Sequence, residues 1–199
     1  MNLPNKLTIA RLGLTVLFVI AAYSGLPWGF TAATLLFGVA AFTDFLDGRI
    51  ARQRGMVTSF GKLMDPLADK VLMAAAFVVL MDLYRDGTTM PAWLVITVLA
   101  REFLVTGLRL VASSRGTVLA ADWLGKQKTT WQIVFASYLL VMNAAFREPV
   151  MAWIKPLFDA PAVGRQVMVP LLLTITLVIT VWSGAAYVWK NRRLVLDEM

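Results

Sequence analysis

The chain has 199 residues, 59% of them hydrophobic and only 16% charged, with a net charge of +7 and neither cysteine nor histidine. A soluble domain is nearer one half apolar and one quarter charged, so this balance points to a bilayer rather than a large soluble core. The missing Cys and His exclude disulfides, zinc fingers and thiol or imidazole nucleophiles. Any metal must therefore sit on oxygen ligands, which favours a hard cation. Any general base must be Asp, Glu, Lys or Tyr. The positive charge selects acidic headgroups or phosphorylated substrates, not nucleic acid.

At about 20 apolar residues per span, the sequence predicts about six transmembrane helices, an all-α polytopic integral membrane protein in one domain, 1–199. The opening residues show no small-residue cleavage site after a short apolar run, so the first apolar segment is expected to be retained. That first span is about 7–24, and Gly25-Leu26-Pro27 makes a turn into the second, about 28–46, which continues past the bilayer as 47–53. The third is about 66–84. The fourth, about 91–113, opens on Pro91 and Trp93 at an interface. The fifth is about 129–146. An outer loop, 147–166, carries Pro149, Pro156 and Pro161 and an interfacial piece around 151–158. The sixth span, about 167–189, is followed by Lys190, Arg192 and Arg193.

The basic residues then divide unevenly. Lys6, Arg11, Arg49, Arg52, Arg54, Lys62, Lys70, Arg115, Lys126, Lys128 and the Lys190–Arg193 group fall on one side. Arg85, Arg147, Lys155 and Arg165 fall on the other, while Arg101 and Arg109 lie inside the fourth span. The basic side is expected to be cytoplasmic, with both termini on it.

Charge within this apolar chain concentrates between Asp44 and Asp69. Asp44, Asp47, Gly48, Ala51 and Arg52 fall at i, i+3, i+4, i+7 and i+8, one stripe of a helix. Gly48 and Ala51 leave room on it for something to approach the backbone. Asp65 and Asp69 lie one turn apart on the next helix, and Gly61 lies a turn before them. Taken singly, these acids have structural readings: Asp65 as an N-cap with Pro66 at the first helical position, Asp69 as a partner of Lys70 or Arg52. Four carboxylates converging near a membrane surface repel one another unless cations neutralise them. Two hard divalent ions bridged by Asp would do so and form a clamp for phosphoryl chemistry, with one carboxylate left to act as base toward an alcohol.

The pattern D-x2-D-G-x2-A-R-x8-G-x3-D-x3-D, complete from Asp44 to Asp69, resembles the defining motif of the CDP-alcohol phosphotransferases. The opening Leu3-Pro4-Asn5-Lys6-Leu7-Thr8-Ile9-Ala10-Arg11 is similar to the amino terminus of that family. Arg101-Glu102-Phe103, Gly107-Leu108-Arg109 and Gly125-Lys126-Gln127-Lys128-Thr129 resemble its glycerol-3-phosphate-using branch. The resemblance implies six transmembrane helices, a homodimer and a polar cavity open to the cytoplasm, in a bacterial inner membrane. It implies two divalent cations, Mg²⁺ or Mn²⁺, held by Asp44, Asp47, Asp65 and Asp69, with Asp69 also the proton acceptor. Asn5, Thr8, Gly48, Arg52, Thr58 and Gly61 are implied to line the CDP-diacylglycerol site. The implied reaction is attack by the 1-hydroxyl of sn-glycerol 3-phosphate on the diacylglycerol-linked phosphorus, with CMP leaving.

The motif fixes this donor better than the acceptor. Glu102, Thr106 and Arg109 share a helical face, and Arg109, Lys126 and Lys128 can together receive a phosphate dianion, with Arg101 a further candidate. Structural readings stand beside these: Arg101 pairing with Glu102 or Asp44, and the two lysines as positive-inside anchors. A cardiolipin synthase of the same superfamily would take phosphatidylglycerol, and other relatives would take other alcohols. Intramembrane prenyltransferases need a second acidic cluster that this chain lacks. A small cation transporter would show internal repeats or broken helices, and the sequence has neither.

Overall fold

The computed structural model describes residues 3–54, 59–82, 90–114, 119, 123–161 and 164–192; the side chains of 3–7, 44–54, 59–66, 69 and 114 are not described. Among the described residues every regular element is helical. They are α1 (Leu3–Tyr23), α2 (Gly29–Arg54), α3 (Ser59–Asp82), α4 (Ala92–Ser114), α5 (Trp123–Arg147), a 3₁₀ turn (Pro149–Ile154), α6 (Lys155–Asp159) and α7 (Arg165–Lys190). Gly25, at φ 66°, supplies the left-handed residue that turns α1 into α2.

The six long helices follow the six apolar runs, but three begin earlier than hydropathy predicts. α1 starts at Leu3 instead of about residue 7, α3 at Ser59 instead of 66, and α5 at Trp123 instead of 129. Hydropathy reports where a helix is greasy, whereas the backbone hydrogen-bond ladder continues through polar residues of adequate helix propensity. This corrects the reading of Asp65 as an N-cap. Asp65 and Pro66 lie inside α3, past its first turn, so any role of Asp65 is not that of a helix start. The segment after α5, expected as a loop with an interfacial piece around 151–158, holds the 3₁₀ turn and α6.

α1 packs on α2 and α3, α2 on α5, and α7 on both α4 and α5. Ala33, Ala40, Ala76 and Ala136 have no exposed surface. Small side chains at crossings let helix backbones approach closely, the usual packing device in membranes. Between them lie Phe18, Phe37, Phe77, Leu94, Phe135 and Leu139, all fully enclosed or nearly so, with the Phe18 and Phe37 rings 6.0 Å apart. The outside is apolar as well: Leu35, Ile96, Phe103, Leu110, Trp182 and Trp189 are each exposed over more than 60% of their surface. An apolar exterior of this extent is costly in water and natural in lipid. α5 and α7 are long and apolar enough to cross a membrane, and α1 and α2 contain shorter apolar stretches, Thr8–Tyr23 and Gly29–Thr43.

Polar groups inside the bundle tie helices together. Gln132 Nε2 on α5 donates to Thr180 Oγ1 on α7 at 3.3 Å. At the far end of α1, the Tyr23 hydroxyl donates to Asp82 Oδ2 of α3 at 2.8 Å. The first turn of α2 contains no acidic residue; its carboxylate comes from the end of α5. Glu148, only 4% exposed, accepts from the backbone N–H of Phe30, from that of Thr31 at 2.9 Å, and from the Thr31 hydroxyl at 2.5 Å. A carboxylate at this position satisfies orphan donors and faces the positive end of the helix dipole. The cations at this end are seated on rings: Arg147 lies 5.1 Å from the Phe30 centroid, and Lys155 and Arg165 lie 5.0 and 4.7 Å from that of Phe146.

Candidate active site

The Asp-rich signature lies on two successive helices. Asp44, Asp47, Gly48 and Arg52 belong to the last part of α2, and Gly61, Asp65 and Asp69 to the first part of α3. α2 ends at Arg54 and α3 begins at Ser59, so four residues separate the two helices in the chain. At 1.5 Å per residue, Asp44 and Asp47 lie within ~15 Å of the end of α2, and Asp65 and Asp69 within ~15 Å of the start of α3. The link itself, with Thr58, is outside the described residues, as are the side chains of the four aspartates, Asn5, Gly48, Arg52 and Gly61. Thr8, on α1, is 2% exposed.

The basic residues predicted to take an acceptor phosphate divide into distinct settings. Lys128 is buried at 5% exposure, whereas Lys126, two residues earlier in the second turn of α5, is exposed. Lys128 Nζ donates to Glu102 Oε1 across the α4–α5 interface. Arg101 Nη1 donates to the same oxygen at 3.2 Å, so one carboxylate joins the two cations. Arg109 faces α7: its Nε donates to the Tyr187 hydroxyl at 3.1 Å, and its guanidinium carbon is 5.5 Å from the Tyr187 ring centroid. The structure thus brings Arg101 and Lys128 together at Glu102, and places Arg109 at the α4–α7 contact.

Besides Glu102, two residues outside the predicted set, Lys70 and Thr106, join this cluster. Lys70, next in the chain to Asp69, donates to Thr106 Oγ1. The Thr106 hydroxyl in turn donates to the Glu102 carbonyl at 2.6 Å. Lys70, Glu102 and Lys128 line a cleft between α3, α4 and α5, about 670 Å³ counting its open side, together with apolar Leu67, Phe77, Val98 and Phe103. A mixed polar and apolar lining suits an amphiphile. The sequence signal for Glu102 was its position: an acid in the middle of an apolar run is expensive unless paired. Lys70 gave no comparable signal, because it stands among other charges near the start of the apolar run expected from about residue 66.

A bundle with an apolar exterior, an amphipathic cavity and an aspartate signature at one end of two helices defines a membrane-embedded enzyme that works on lipid-like substrates. The family model for CDP-alcohol phosphatidyltransferase matches residues 1–189, and the chain belongs to that family. It is 44% identical over 157 residues to a CDP-diacylglycerol–glycerol-3-phosphate 3-phosphatidyltransferase of Bacillus subtilis (strain 168), covering 73% of this chain and 79% of the relative. It is 34% identical over 200 residues to the enzyme of the same name from Escherichia coli (strain K12), covering 99% of this chain and 98% of that one. A Shigella flexneri serotype 5b enzyme, again of that name, is 35% identical over the same extent.

Proposed function

We propose that the chain transfers the phosphatidyl group of CDP-diacylglycerol to sn-glycerol 3-phosphate, giving phosphatidylglycerophosphate and CMP in phospholipid synthesis. The observation that carries this reading is similarity across nearly the whole chain to enzymes named for that reaction. The intact signature from Asp44 to Asp69 supports it.

The donor set fits oxygen-preferring divalent cations, since it is made of carboxylates alone, in pairs one turn apart on adjoining helices. Asp44, Asp47, Asp65 and Asp69 would hold two such ions, Mg²⁺ or Mn²⁺, which when bound neutralise the pyrophosphate of the donor and the carboxylates themselves. In this reading Gly48, Arg52 and Gly61 hold the CDP moiety, with Asn5, Thr8 and Thr58 beside it. Asp69 takes the proton of the acceptor 1-hydroxyl. The new bond joins that oxygen to the diacylglycerol-linked phosphorus. The phosphoanhydride bond to CMP breaks, and CMP leaves with the bonding electrons.

Lys126, Lys128, Arg109 and Arg101 are assigned to the acceptor phosphate. Buried Lys128 gives the strongest contact of the set, because a charge-assisted bond out of water is worth more than an exposed one. The reading includes six membrane-spanning helices, a homodimer, and a bacterial inner membrane with the basic side and both termini in the cytoplasm. The exposed cations Lys126, Lys190 and Arg192 support that orientation.

The test is CMP release by purified protein supplied with CDP-diacylglycerol, Mg²⁺ or Mn²⁺, and one alcohol at a time. Release with glycerol 3-phosphate and a phosphatidylglycerophosphate product is expected. Release with phosphatidylglycerol alone would reassign the acceptor, and no release with any alcohol would remove the enzymatic reading.

A further inference from the structure

Between α4 and α7 the bundle leaves a lateral crevice, about 1300 Å³ counting its open side, which shares only Arg101 with the residues assigned to the transfer reaction. Leu104 on α4 and Val181, Ala185 and Val188 on α7 wall it, and Trp189 and Arg192 stand at one end. From Val181 to Arg192 the chain rises ~16 Å at helical pitch, against ~15 Å for half of a ~30 Å hydrocarbon core. The crevice therefore has the length of one leaflet, and its charged end is at the basic side of the bundle.

Arg192 is exposed, with its guanidinium 4.6 Å from the Trp189 ring centroid and its Nη1 3.4 Å from the Trp189 carbonyl. Among the described residues it meets no carboxylate. Arg101, 11% exposed and paired with Glu102, lies deeper on the same wall. An arginine beside a tryptophan at a helix end is the arrangement that meets lipid phosphates at an interface. A second copy of this chain is a poor occupant of this face, because it would press Arg192 against a like arginine or against hydrocarbon.

We propose that this crevice binds one anionic glycerophospholipid of the surrounding bilayer, a lipid that is not a substrate. Its acyl chain runs along Val181, Ala185 and Val188, and its phosphate meets Arg192.

The experiment uses the full-length protein purified from detergent and incubated with dioleoylphosphatidylglycerol or dioleoylphosphatidylcholine, with retained lipid counted by native mass spectrometry. The wild type is expected to keep one more phosphatidylglycerol than phosphatidylcholine. Arg192→Gln, a change at an exposed residue, is expected to weaken that extra lipid about tenfold, and Ala185→Trp to remove it by filling the wall. CMP release should persist in both variants, which separates this site from the catalytic one. Equal retention of the two lipids, or retention unchanged in both variants, would overturn the proposal. The chain has no cysteine, so Ala185→Cys provides a second measurement. Efficient disulfide cross-linking of two copies through residue 185 would show that protein covers the crevice and would also overturn it.

Discussion

Replacing Glu148 with Ala should loosen the bundle without touching the chemistry. The change removes the acceptor for two backbone N–H groups and one hydroxyl at the start of α2. Phe30 is buried at 8% exposure, and an unsatisfied buried donor costs ~1–3 kcal/mol. Loss of the carboxylate from the positive end of the helix dipole adds up to ~2 kcal/mol. Because the two effects share partners they do not sum fully, and about 2–4 kcal/mol is expected. At ~2–4 °C per kcal/mol for a chain of this size, the midpoint should fall by ~4–16 °C. Glu148→Gln keeps an acceptor but loses the charge and should fall about half as far. Thermal unfolding in detergent, read as loss of the monodisperse peak after heating, measures both. Turnover at low temperature should be near wild type in each, since Phe30 lies ~21 Å along α2 from Asp44. If Glu148→Ala melted with the wild type, or Glu148→Gln fell further than Ala, the capping argument would be wrong.

Asp69→Asn should nearly abolish CMP release while CDP-diacylglycerol binding, followed by retention of labelled lipid, changes little; retained turnover would remove Asp69 as the base. Lys128→Ala should raise KM for glycerol 3-phosphate by at least tenfold with KM for CDP-diacylglycerol unchanged, as expected for a charge-assisted contact. Exposed Lys126→Ala should shift the same KM no more than about threefold, and the reverse order would exchange their roles. Gly184→Val should destabilise by ~1–3 kcal/mol through overpacking, because even the first carbon of a side chain there would lie 3.0 Å from Arg101 Cγ. A melting midpoint unchanged from wild type would show that Arg101 can move aside freely.

The six long helices were legible because a bilayer demands long apolar runs, and runs survive in sequence. Their polar extensions were not. The early turns of α3 and α5 pass through Lys62, Asp65 and Lys126, which hydropathy scores as loop although the helix continues through them. The Asp44–Asp69 signature was legible as spacing, since a turn of helix is a fixed number of residues. The sharing of Glu102 between Arg101 and Lys128 was open as a possibility for Arg101 only. Its second half depends on the rotation of α5 against α4, which neither helix encodes alone. Arg109 shares a helical face with Glu102 by periodicity, yet its long side chain turns to Tyr187 on α7. Glu148 escaped sequence reading because its partners lie 118 residues away. The one clue was negative: α2 begins at Gly29-Phe30-Thr31 without an acid in its first turn.

That distance also orders the birth of the protein. Phe30 leaves the ribosome 118 residues before Glu148, an interval of ~6–24 s at 5–20 residues per second. Throughout it, the helix that carries Asp44 and Asp47 is synthesised without the carboxylate that finishes its first turn. The hairpin of α5, α6 and α7 closes with partners of its own: Tyr138 against Phe158 at 5.3 Å, and Lys155 and Arg165 on Phe146. Insertion can therefore proceed as two blocks, with α1–α4 waiting in a provisional state. Arrival of the end of α5 then supplies the carboxylate that finishes α2, alongside the α2–α5 and α4–α7 packing that joins the late block to the early one.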